Sequence, residues 1–242
     1  MNKLIYLLWP RRPMELAQRR TTLLEACAPK LLESGARYLS MNIDDDFATT
    51  PSPTPTTRFT DPFVAEVNVW VDDMKVRKDL ESVLLDADFD IAGYRVREHI
   101  YTDYGGNEHG SPRDWPDGQR SPAVVSVTPL ERPRRIPKDK WMKHWFNRQG
   151  PMSERMQPRA RYVRNVVEEV LTPGATPYEG IVEESWPSSE HVTNPYIFYG
   201  AKNRLELIKN MAIMGQSVAA FLPMWKITSV TTSEYFIRTR NG

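Results

Sequence analysis

The sequence predicts an α+β protein in which two βαββαβ repeats close into a single barrel. Strand and helix patterns follow one another in the same order in both halves of the 242-residue chain. The second strand of each half also opens with the same tripeptide, Ala36-Arg37-Tyr38 in the first half and Ala160-Arg161-Tyr162 in the second. A repeat of this kind determines the whole fold, because each copy contributes the same set of elements.

The first repeat begins with the apolar strand 4–9, which ends at a segment of prolines and arginines. The helix that follows, at about 14–34, has leucines that recur at three- and four-residue steps, as a single buried helix face requires. The remaining predicted elements of this half are strands at 36–42, 63–71 and 90–101 and a helix at 75–86.

The second repeat has the same order of elements. Its first helix, at about 138–156, carries Trp141 and Trp145 on one stripe. Its other predicted elements are strands at 123–133, 160–166, 178–186 and 224–237 and a helix at 202–221. This order is that of a ferredoxin-like unit, in which a four-stranded antiparallel sheet has two helices on one face.

A ferredoxin-like sheet leaves its second face uncovered. Two units in one chain are therefore expected to pack sheet to sheet as a pseudo-dimeric α+β barrel with the helices outside. The predicted division is 1–104 for the first repeat, 105–120 for a connecting loop and 121–242 for the second repeat. The connector is either a plain linker or a binding loop, because it contains His109 and Trp115. The Pro/Thr-rich segment 48–57 is expected to be an extended surface loop.

Composition excludes several classes of protein. The 32 basic residues nearly balance the 31 acidic ones, whereas a nucleic-acid-binding surface usually has a basic excess. The single cysteine, Cys27, has no partner for an intramolecular disulfide. No apolar run approaches the roughly 18 residues of a membrane helix. We therefore expect a cytoplasmic protein that acts on a small molecule, with neither nucleic acid nor membrane as a partner.

The motifs of metal and cofactor sites are missing from the sequence. Its four histidines are isolated, without His-x-His or His-x-x-x-His spacing. The nearest approach to a ligand set is the group Asp103, Glu108 and His109. No glycine-rich phosphate loop occurs either. We expect neither a metal nor a cofactor.

Strand 95–103 carries the strongest candidate catalytic cluster. Alternation places five polar residues on one face, Arg95, Arg97, His99, Tyr101 and Asp103. Lining the barrel, this face would supply an anion anchor, a group that titrates near neutral pH and a phenol donor, which suit proton transfer beside a carbonyl. The alternative is that this face meets water and the aliphatic face packs.

Histidine and tyrosine residues near the repeated strands are further candidates. His144, beside Trp145, is either a general acid or base in the cleft between helix and sheet or a packed residue with one satisfied nitrogen. Tyr38 and Tyr162 have equivalent places in the two copies, as either substrate contacts or core residues.

The third strand of each half contains an acidic residue among apolar ones. Glu66 is the one in the first half, and Glu183 and Glu184 occupy the strand of the second half. Asn165 and Arg161 share the face of their strand that is opposite Tyr162. A carboxylate inside an apolar barrel has a raised pKa and serves as a base near neutrality, whereas one outside is simply solvated.

Three segments of the second half carry a family resemblance: KHWFNRQGPM at 143–152, RYVRN at 161–165 and YEGIVE at 178–183. In this order they resemble the helix-end, second-strand and third-strand patterns of the EthD family of dimeric α+β barrel proteins. The first half is similar but more diverged. The family commonly has a His before a small residue and a Pro at the end of the first helix. This chain has Gln149 there, and Cys27 in the first copy.

The resemblance implies a range of small-molecule functions. Similar barrels include cofactor-free lyases, isomerases, cyclases and dehydratases acting on aromatic, polyketide or lactone compounds, accessory proteins, and haem-binding relatives. We expect a cofactor-independent lyase or isomerase of the dehydratase, decarboxylase or cyclase type, acting on an aromatic or polyketide-like molecule. The alternatives are a non-catalytic binding barrel and a haem-binding barrel. A homodimer of the chain is left open.

The expected site residues fall into two groups. The expected catalytic residues are His99, His144, Tyr101, Asp103 and Glu183. The expected substrate contacts are Arg97, Tyr38, Tyr162, Asn165 and Trp145. Haem binding, in its turn, would use His99 or His144.

Overall fold

The computed structural model describes residues 1–54 and 61–240. In that part of the chain the strands are β1 (Asn2–Pro10), β2 (Tyr38–Ile43), β3 (Ala65–Val71), β4 (Phe89–Thr102), β5 (Val124–Leu130), β6 (Arg161–Val170), β7 (Gly180–Trp186) and β8 (Val230–Arg238). The α-helices are α1 (Leu16–Thr21), α2 (Ala28–Glu33), α3 (Arg77–Asp86), α4 (Lys138–His144), α5 (Gly150–Met156), α6 (Ser189–Thr193), α7 (Pro195–Phe198) and α8 (Arg204–Ala219). Apart from the short helices α6 and α7, which were not predicted, the order of elements is the one that the repeat predicts.

The strands form one closed antiparallel barrel in the order β1-β3-β2-β8-β5-β7-β6-β4. The first half contributes the run β4-β1-β3-β2 and the second half the run β8-β5-β7-β6, so both halves have the strand order of a ferredoxin-like sheet. Two seams join them, with β2 paired to β8 and β4 paired to β6. The predicted fold class, a pseudo-dimeric α+β barrel, is confirmed.

Each half has a π-helical turn at the same place in its first helix. Thr22–Cys27 lies between α1 and α2, and Trp145–Gln149 lies between α4 and α5. Pro29 and Pro151 are the second residues after these turns. A proline donates no backbone hydrogen bond and its ring crowds the preceding turn, so a wider turn accommodates it. The two turns end at Cys27 and Gln149.

The last predicted strand begins later than expected. Residues 224–229 do not join the sheet, and Met224–Lys226 form a 3₁₀ turn before β8 begins at Val230. Met224 and Ile227 line a cavity beside the second-half helices instead. Their apolar side chains made this segment resemble a strand, because period and composition alone do not distinguish sheet packing from the covering of a cavity.

Asp45 links the two halves at the seam between β2 and β8. Its side chain is buried and accepts hydrogen bonds from the hydroxyls of Ser233 and Tyr235 in β8, each at 2.7 Å. The backbone N–H of Phe47 donates a third, at 3.0 Å. Hydrogen bonds to a carboxylate are stronger than those between neutral groups, so this residue fastens the first half to the second.

The connector between the halves packs over one end of the barrel. Tyr104 donates its hydroxyl hydrogen to Glu234 Oε2 at 2.7 Å, and Trp115 contacts the Tyr104 ring edge-on. Arg113 pairs with Asp117 at 2.6 Å. These contacts pack the connector against the barrel.

The Pro/Thr-rich segment lies only partly within the described residues, because 55–60 fall outside them. In its described part, Ser52 Oγ donates to the backbone oxygen of Ser229 at 2.7 Å. This bond ties a loop of the first half to the second half.

No helix in residues 1–54 or 61–240 has the length and apolar character that crossing a membrane requires.

We predict that Asp45→Ala lowers the free energy of unfolding by about 2–3 kcal/mol, because buried hydroxyls on β8 lose a charged acceptor. Asp46→Ala is the matched control. Asp46 pairs with Arg20 at the partly exposed surface, and its loss should cost less than about 1 kcal/mol. Urea unfolding of both variants measures the difference, and equal losses would contradict a role for Asp45 at the seam.

Candidate functional site

A cavity of about 340 Å³ lies between the helices and the sheet of the second half. We call it the helix–sheet pocket. Apolar and aromatic side chains form most of its wall, among them Trp145, Met211, Met214, Phe221 and Ile227. Pro53 and Thr54 of the first half also line it. Such walls suit a flat, largely apolar molecule.

The corresponding space of the first half is filled. Leu23 and Leu31 from its first helix and Leu80 and Leu84 from α3 have no exposed surface and pack in one cluster. Cys27 lies in the same cluster, and burial raises the pKa of its thiol to about 11. That thiol is therefore protonated at neutral pH, which makes it a packing residue and not a nucleophile.

Tyr162 places its hydroxyl at the polar edge of the helix–sheet pocket. The hydroxyl oxygen accepts a hydrogen bond from Trp145 Nε1 at 3.4 Å, and the Arg159 guanidinium lies 4.0 Å from the ring centre. Within the described residues the hydroxyl hydrogen has no acceptor. Burial raises the pKa of Tyr162, with Arg159 opposing the shift. The phenol is therefore a neutral donor facing the pocket.

Glu184 is the carboxylate that lines the helix–sheet pocket. It pairs with the guanidinium of Arg159, whose side chain is only 1% exposed. Arg159 also binds Glu154 at 2.8 Å and Ser153 Oγ at 2.9 Å. Burial lowers the pKa of Arg159, but the surrounding carboxylates raise it further, so the guanidinium stays charged. Because the Arg159 guanidinium binds three partners, it fixes the orientation of Glu184.

Gln149 supplies an unused acceptor to the same pocket. Its Nε2 donates to Met214 Sδ at 3.3 Å, while its Oε1 is buried without a partner. A buried acceptor without a donor costs about 1–3 kcal/mol. A hydroxyl on a bound molecule would remove that cost. Gln149 lies at the end of the π turn.

His144 does not line the helix–sheet pocket. Its Nε2 lies 3.0 Å from the backbone oxygen of Ser217 in α8, and its ring stacks on Phe221. Burial lowers the pKa of His144, so the neutral ring donates this hydrogen bond at neutral pH. The structure thus places His144 as a packed residue between helices, whereas its neighbour Trp145 reaches the pocket.

The candidate face of β4 lies outside the barrel. Arg97 is largely exposed and pairs with Glu168 at 3.2 Å. His99 packs edge-on against Phe146, and burial lowers the pKa of its ring. Tyr101 is exposed to solvent over 38% of its surface. These three residues therefore do not line the barrel, and the expectation that their face does so needs correction.

The opposite face of β4 is the inner one. Val96 belongs to the apolar cluster inside the barrel, and Glu98 bonds Lys3 there. A β-bulge between Ile100 and Thr102 then reverses the alternation. Asp103, expected on the same face as Arg97, consequently reaches the barrel mouth.

Lys3 is the centre of a buried polar network inside the barrel. Its Nζ donates to Glu98 Oε1 at 2.6 Å, to Asn165 Oδ1 at 2.9 Å and to Glu183 Oε1 at 3.2 Å. These partners belong to β4, β6 and β7, so the contacts span both halves and run through the interior. Two predicted site residues, Asn165 and Glu183, therefore meet.

Arg161 extends this network to the barrel mouth. Its Nη1 donates to Glu234 Oε1 at 3.3 Å and to Glu183 Oε2 at 3.4 Å, and its Nε donates to Asp103 Oδ1 at 3.1 Å. A cavity of about 710 Å³ opens there, between Arg161 and the connector with Trp115. The mouth gives solvent a route to the edge of the interior network.

The pKa values of Glu66 and Glu183, which have equivalent places in the two halves, are shifted in opposite directions. Burial raises the pKa of Glu66 to about 8, and the nearby Glu183 adds to the shift. Burial also acts on Glu183, but Lys3 and Arg161 outweigh it and hold its pKa below the usual range. The raised pKa expected for Glu183 is therefore wrong, and the expectation is met at Glu66.

Tyr38 and Tyr162 are not equivalent in space. Tyr38 pairs with Trp70, whose ring faces Lys3 inside the barrel, whereas Tyr162 packs with Trp145 on the helix side. The register of the shared tripeptide in β6 is therefore shifted by one residue from its register in β2. As a result, each of its side chains lies on the opposite face of the sheet.

Sequence reasoning missed Lys3, Arg159 and Glu184 as site residues. Lys3 had a usable signal, because it alternates with Ile5 and Leu7, which face the interior. Arg159 lies before β6, outside any periodic element, so no pattern marked it. Among the described residues, no group of three or more His, Cys, Asp or Glu side chains is arranged to hold a metal ion.

We predict that Glu66→Gln removes a decline of stability with pH. The pKa of Glu66 is raised from 4.5 to about 8 on folding, so the folded protein keeps a proton that the unfolded chain loses. Because the folded state binds more protons in this range, its stability falls between about pH 4.5 and about pH 8. Urea unfolding at about pH 5 and about pH 8 compares the two proteins, and identical declines would refute the assignment.

The sequence matches no protein-family model, and no curated protein matches it. Among solved structures, the chain is similar to an anthrone oxidase-like protein, with a TM-score of 0.56 and 10% identity over 99% of this chain and 92% of that one. A dye-decolorizing peroxidase from Bacteroides thetaiotaomicron VPI-5482 gives a TM-score of 0.47 and 10% identity, over 97% and 92% of the chains. The likeness to the anthrone oxidase-like protein is one of fold. The chain therefore has the fold of the dimeric α+β barrel proteins, with both halves of the barrel in one polypeptide.

Proposed function

We propose that this protein is a cofactor-independent lyase or isomerase that binds a planar aromatic or polyketide-like molecule in the helix–sheet pocket. The observation that carries the proposal is the polar edge of an otherwise apolar cavity. Tyr162 offers a neutral O–H donor, Glu184 a fixed carboxylate and Gln149 an unused acceptor. Together they suit a molecule that has a carbonyl and a hydroxyl on one flat ring system.

These groups support proton transfer beside a carbonyl. Tyr162 donates a hydrogen bond to the substrate carbonyl oxygen, where negative charge develops. Glu184 removes a proton from a carbon that is conjugated with this carbonyl and becomes a carboxylic acid, and the electron pair of that C–H bond moves into the enolate. Returning the proton to another carbon gives an isomerase, and losing a leaving group from the enolate gives a lyase. Arg159 acts as a positioning residue for the carboxylate.

Haem does not fit this pocket through the expected ligands. His144 is engaged by Ser217 and Phe221, and His99 packs outside the barrel against Phe146. Neither lines the helix–sheet pocket. No step of the proposed chemistry runs through such a group.

A non-catalytic binding barrel is the second candidate function. Gln149 favours it, because the family resemblance places a proton-transfer histidine at this position and glutamine does not titrate. In that case Gln149 and Tyr162 would orient a ligand without converting it. Measurements of binding and of proton transfer separate the two functions.

We predict that anthrone, the aromatic ketone in the name of the similar oxidase-like protein, binds the helix–sheet pocket. Tyr162→Phe should weaken its binding about tenfold, the equivalent of about 1.4 kcal/mol, because one hydrogen bond to the carbonyl is lost. Quenching of tryptophan fluorescence measures the affinity. 9,10-Dihydroanthracene lacks the carbonyl and should bind both proteins equally, and Tyr196→Phe is the matched surface control. An equal loss for both ligands would rule out the proposed hydrogen bond.

We predict that the protein accelerates deuterium exchange at the C10 methylene of anthrone in anaerobic D₂O. Glu184→Gln should slow this exchange by about a hundredfold or more, since it removes the base. Glu168→Gln, outside the barrel, should retain the rate. Proton NMR follows the loss of the C10 signal. Exchange no faster than in buffer, together with tight binding, would favour the non-catalytic barrel.

A further inference from the structure

A second large cavity of the second half lies beside the helix–sheet pocket. Its volume is about 770 Å³, and we call it the basic cavity. Its charged lining residues are Arg132, Arg134, Arg135, Lys226, Glu131 and Glu179. Four positive charges therefore line it against two negative ones, in a chain whose net charge is only +1. The volume is within the range of about 300–1,000 Å³ that is usual for a small-molecule site.

Both carboxylates of the basic cavity are already paired with cations. The Glu179 side chain is only 15% exposed and accepts a hydrogen bond from Arg132 Nε at 2.8 Å. Lys138 Nζ lies 2.8 Å from the other oxygen of Glu179. Glu131 pairs with Lys226 at 2.6 Å. These carboxylates therefore do not neutralise the remaining two cations.

The remaining two cations are the guanidinium groups of Arg134 and Arg135. Both side chains are exposed, and within residues 1–54 and 61–240 neither guanidinium has a hydrogen bond or an ion pair. Two neighbouring guanidinium groups at one cavity repel each other unless an anion lies between them. They are therefore free to bind a ligand with negative charge.

A braced turn holds these two arginines side by side. Arg134 and Arg135 are its central residues, and the backbone N–H of Ile136 donates to the backbone oxygen of Pro133 at 2.9 Å. Arg132 Nη1 donates to the backbone oxygen of Ile136 at 2.6 Å. Because Arg132 is itself held by a buried carboxylate, the turn has its shape before any ligand arrives. Such preorganisation lowers the entropic cost of binding.

Trp225 adds a flat apolar surface to the basic cavity. The residue is 64% exposed although it lines the cavity. An exposed indole gains most when a flat ring stacks on it, because both faces in contact then leave water. The cavity thus combines uncompensated guanidinium groups with a stacking surface.

We propose that the basic cavity binds a small phosphorylated molecule with a planar ring, of the nucleotide class. Arg134 and Arg135 bind its phosphate groups, and Trp225 stacks on its ring. A phosphate monoester carries a charge of about −1.5 to −2, which balances two guanidinium groups, and its oxygens match their fork of N–H donors.

Other anions match these features less well. A single carboxylate has one negative charge and leaves one of the two arginines uncompensated. Inorganic phosphate makes no use of the Trp225 ring. A nucleic acid usually requires a basic stripe along the surface, whereas this chain is nearly neutral as a whole.

One short segment separates the basic cavity from the helix–sheet pocket. Met224 and Ile227 line the pocket, whereas Pro223, Trp225 and Lys226 line the basic cavity. A ligand that stacks on Trp225 therefore contacts the other side of the pocket wall. The phosphate site does not depend on the proton transfer proposed for the pocket, so either proposal can fail without the other.

The first test is calorimetric titration of the full chain with adenosine diphosphate, pyrophosphate and adenosine, without Mg²⁺ and at constant ionic strength. We expect saturable binding of one adenosine diphosphate per chain. Pyrophosphate lacks the ring and should bind about tenfold more weakly, and adenosine lacks the phosphates and should bind about a hundredfold more weakly. No saturable binding of adenosine diphosphate up to about 1 mM, or equal affinity for adenosine, would overturn the proposal.

A pair of double variants locates the phosphate groups. Arg134→Gln/Arg135→Gln should weaken binding of adenosine diphosphate about a hundredfold, because two charge-assisted contacts are lost. Arg37→Gln/Arg204→Gln changes the net charge equally at two exposed arginines outside the cavity and should keep the affinity. Since all four side chains are exposed, both proteins are expected to fold, and thermal unfolding checks this. Equal losses in the two variants would overturn the site.

Trp225→Ala separates the ring from the phosphates. It should weaken binding of adenosine diphosphate about tenfold and leave pyrophosphate unchanged, because only the first ligand has a ring to stack. Tyr196→Ala, at an exposed aromatic residue outside the cavity, should change neither. Equal losses for both ligands in Trp225→Ala would refute the stacking.

A lipid headgroup is another source of a phosphate monoester. Sedimentation with phosphatidylcholine vesicles, with and without phosphatidic acid, tests it. We expect no more protein to sediment with phosphatidic acid than without it. Sedimentation with phosphatidic acid, together with no binding of adenosine diphosphate, would assign the site to a lipid and overturn the nucleotide class.

Discussion

The ammonium group of Lys3 is the contact on which the closed barrel depends. From the first strand it reaches partners in β4, β6 and β7, and so it joins the two repeats through their shared interior. Removing it would leave buried carboxylates without a counter-charge, which is among the costliest changes to a protein interior. Because closure leaves only the outer faces of the sheets for the helices, the network also decides where a helix–sheet cavity can form.

The two halves differ in how the space between their helices and their sheets is filled. The first half fills the space beneath its helices with leucines and a protonated cysteine thiol. The second half has larger aromatic side chains there, Trp141 and Trp145, and keeps a cavity between Trp145 and α8. Pro53 and Thr54 of the first half complete its wall. The first half thus serves mainly to support the pocket of the second half. The two halves can differ in this way because both belong to one chain.

Strand alternation explains both the successes and the failures of residue-level prediction. Period two separates Arg161 and Asn165 from Tyr162, and the structure shows them on opposite faces. The same period divides β4 into two faces without showing which one is inside. That choice depends on Val96, which packs in the interior cluster, and on the bulge that sends Asp103 to the barrel mouth.

The sequence by itself determined the repeat, the order of elements and the α+β barrel, because hydrophobic periodicity is a local property and uncovered sheets must pair. It also indicated that a buried glutamate has a raised pKa. Only the tertiary structure decided that this is Glu66 and not Glu183. The reason is that Lys3 and Arg161 are distant in sequence from Glu183, yet their charges act on it across the closed barrel. Long-range electrostatics of this kind exist only once the chain has folded.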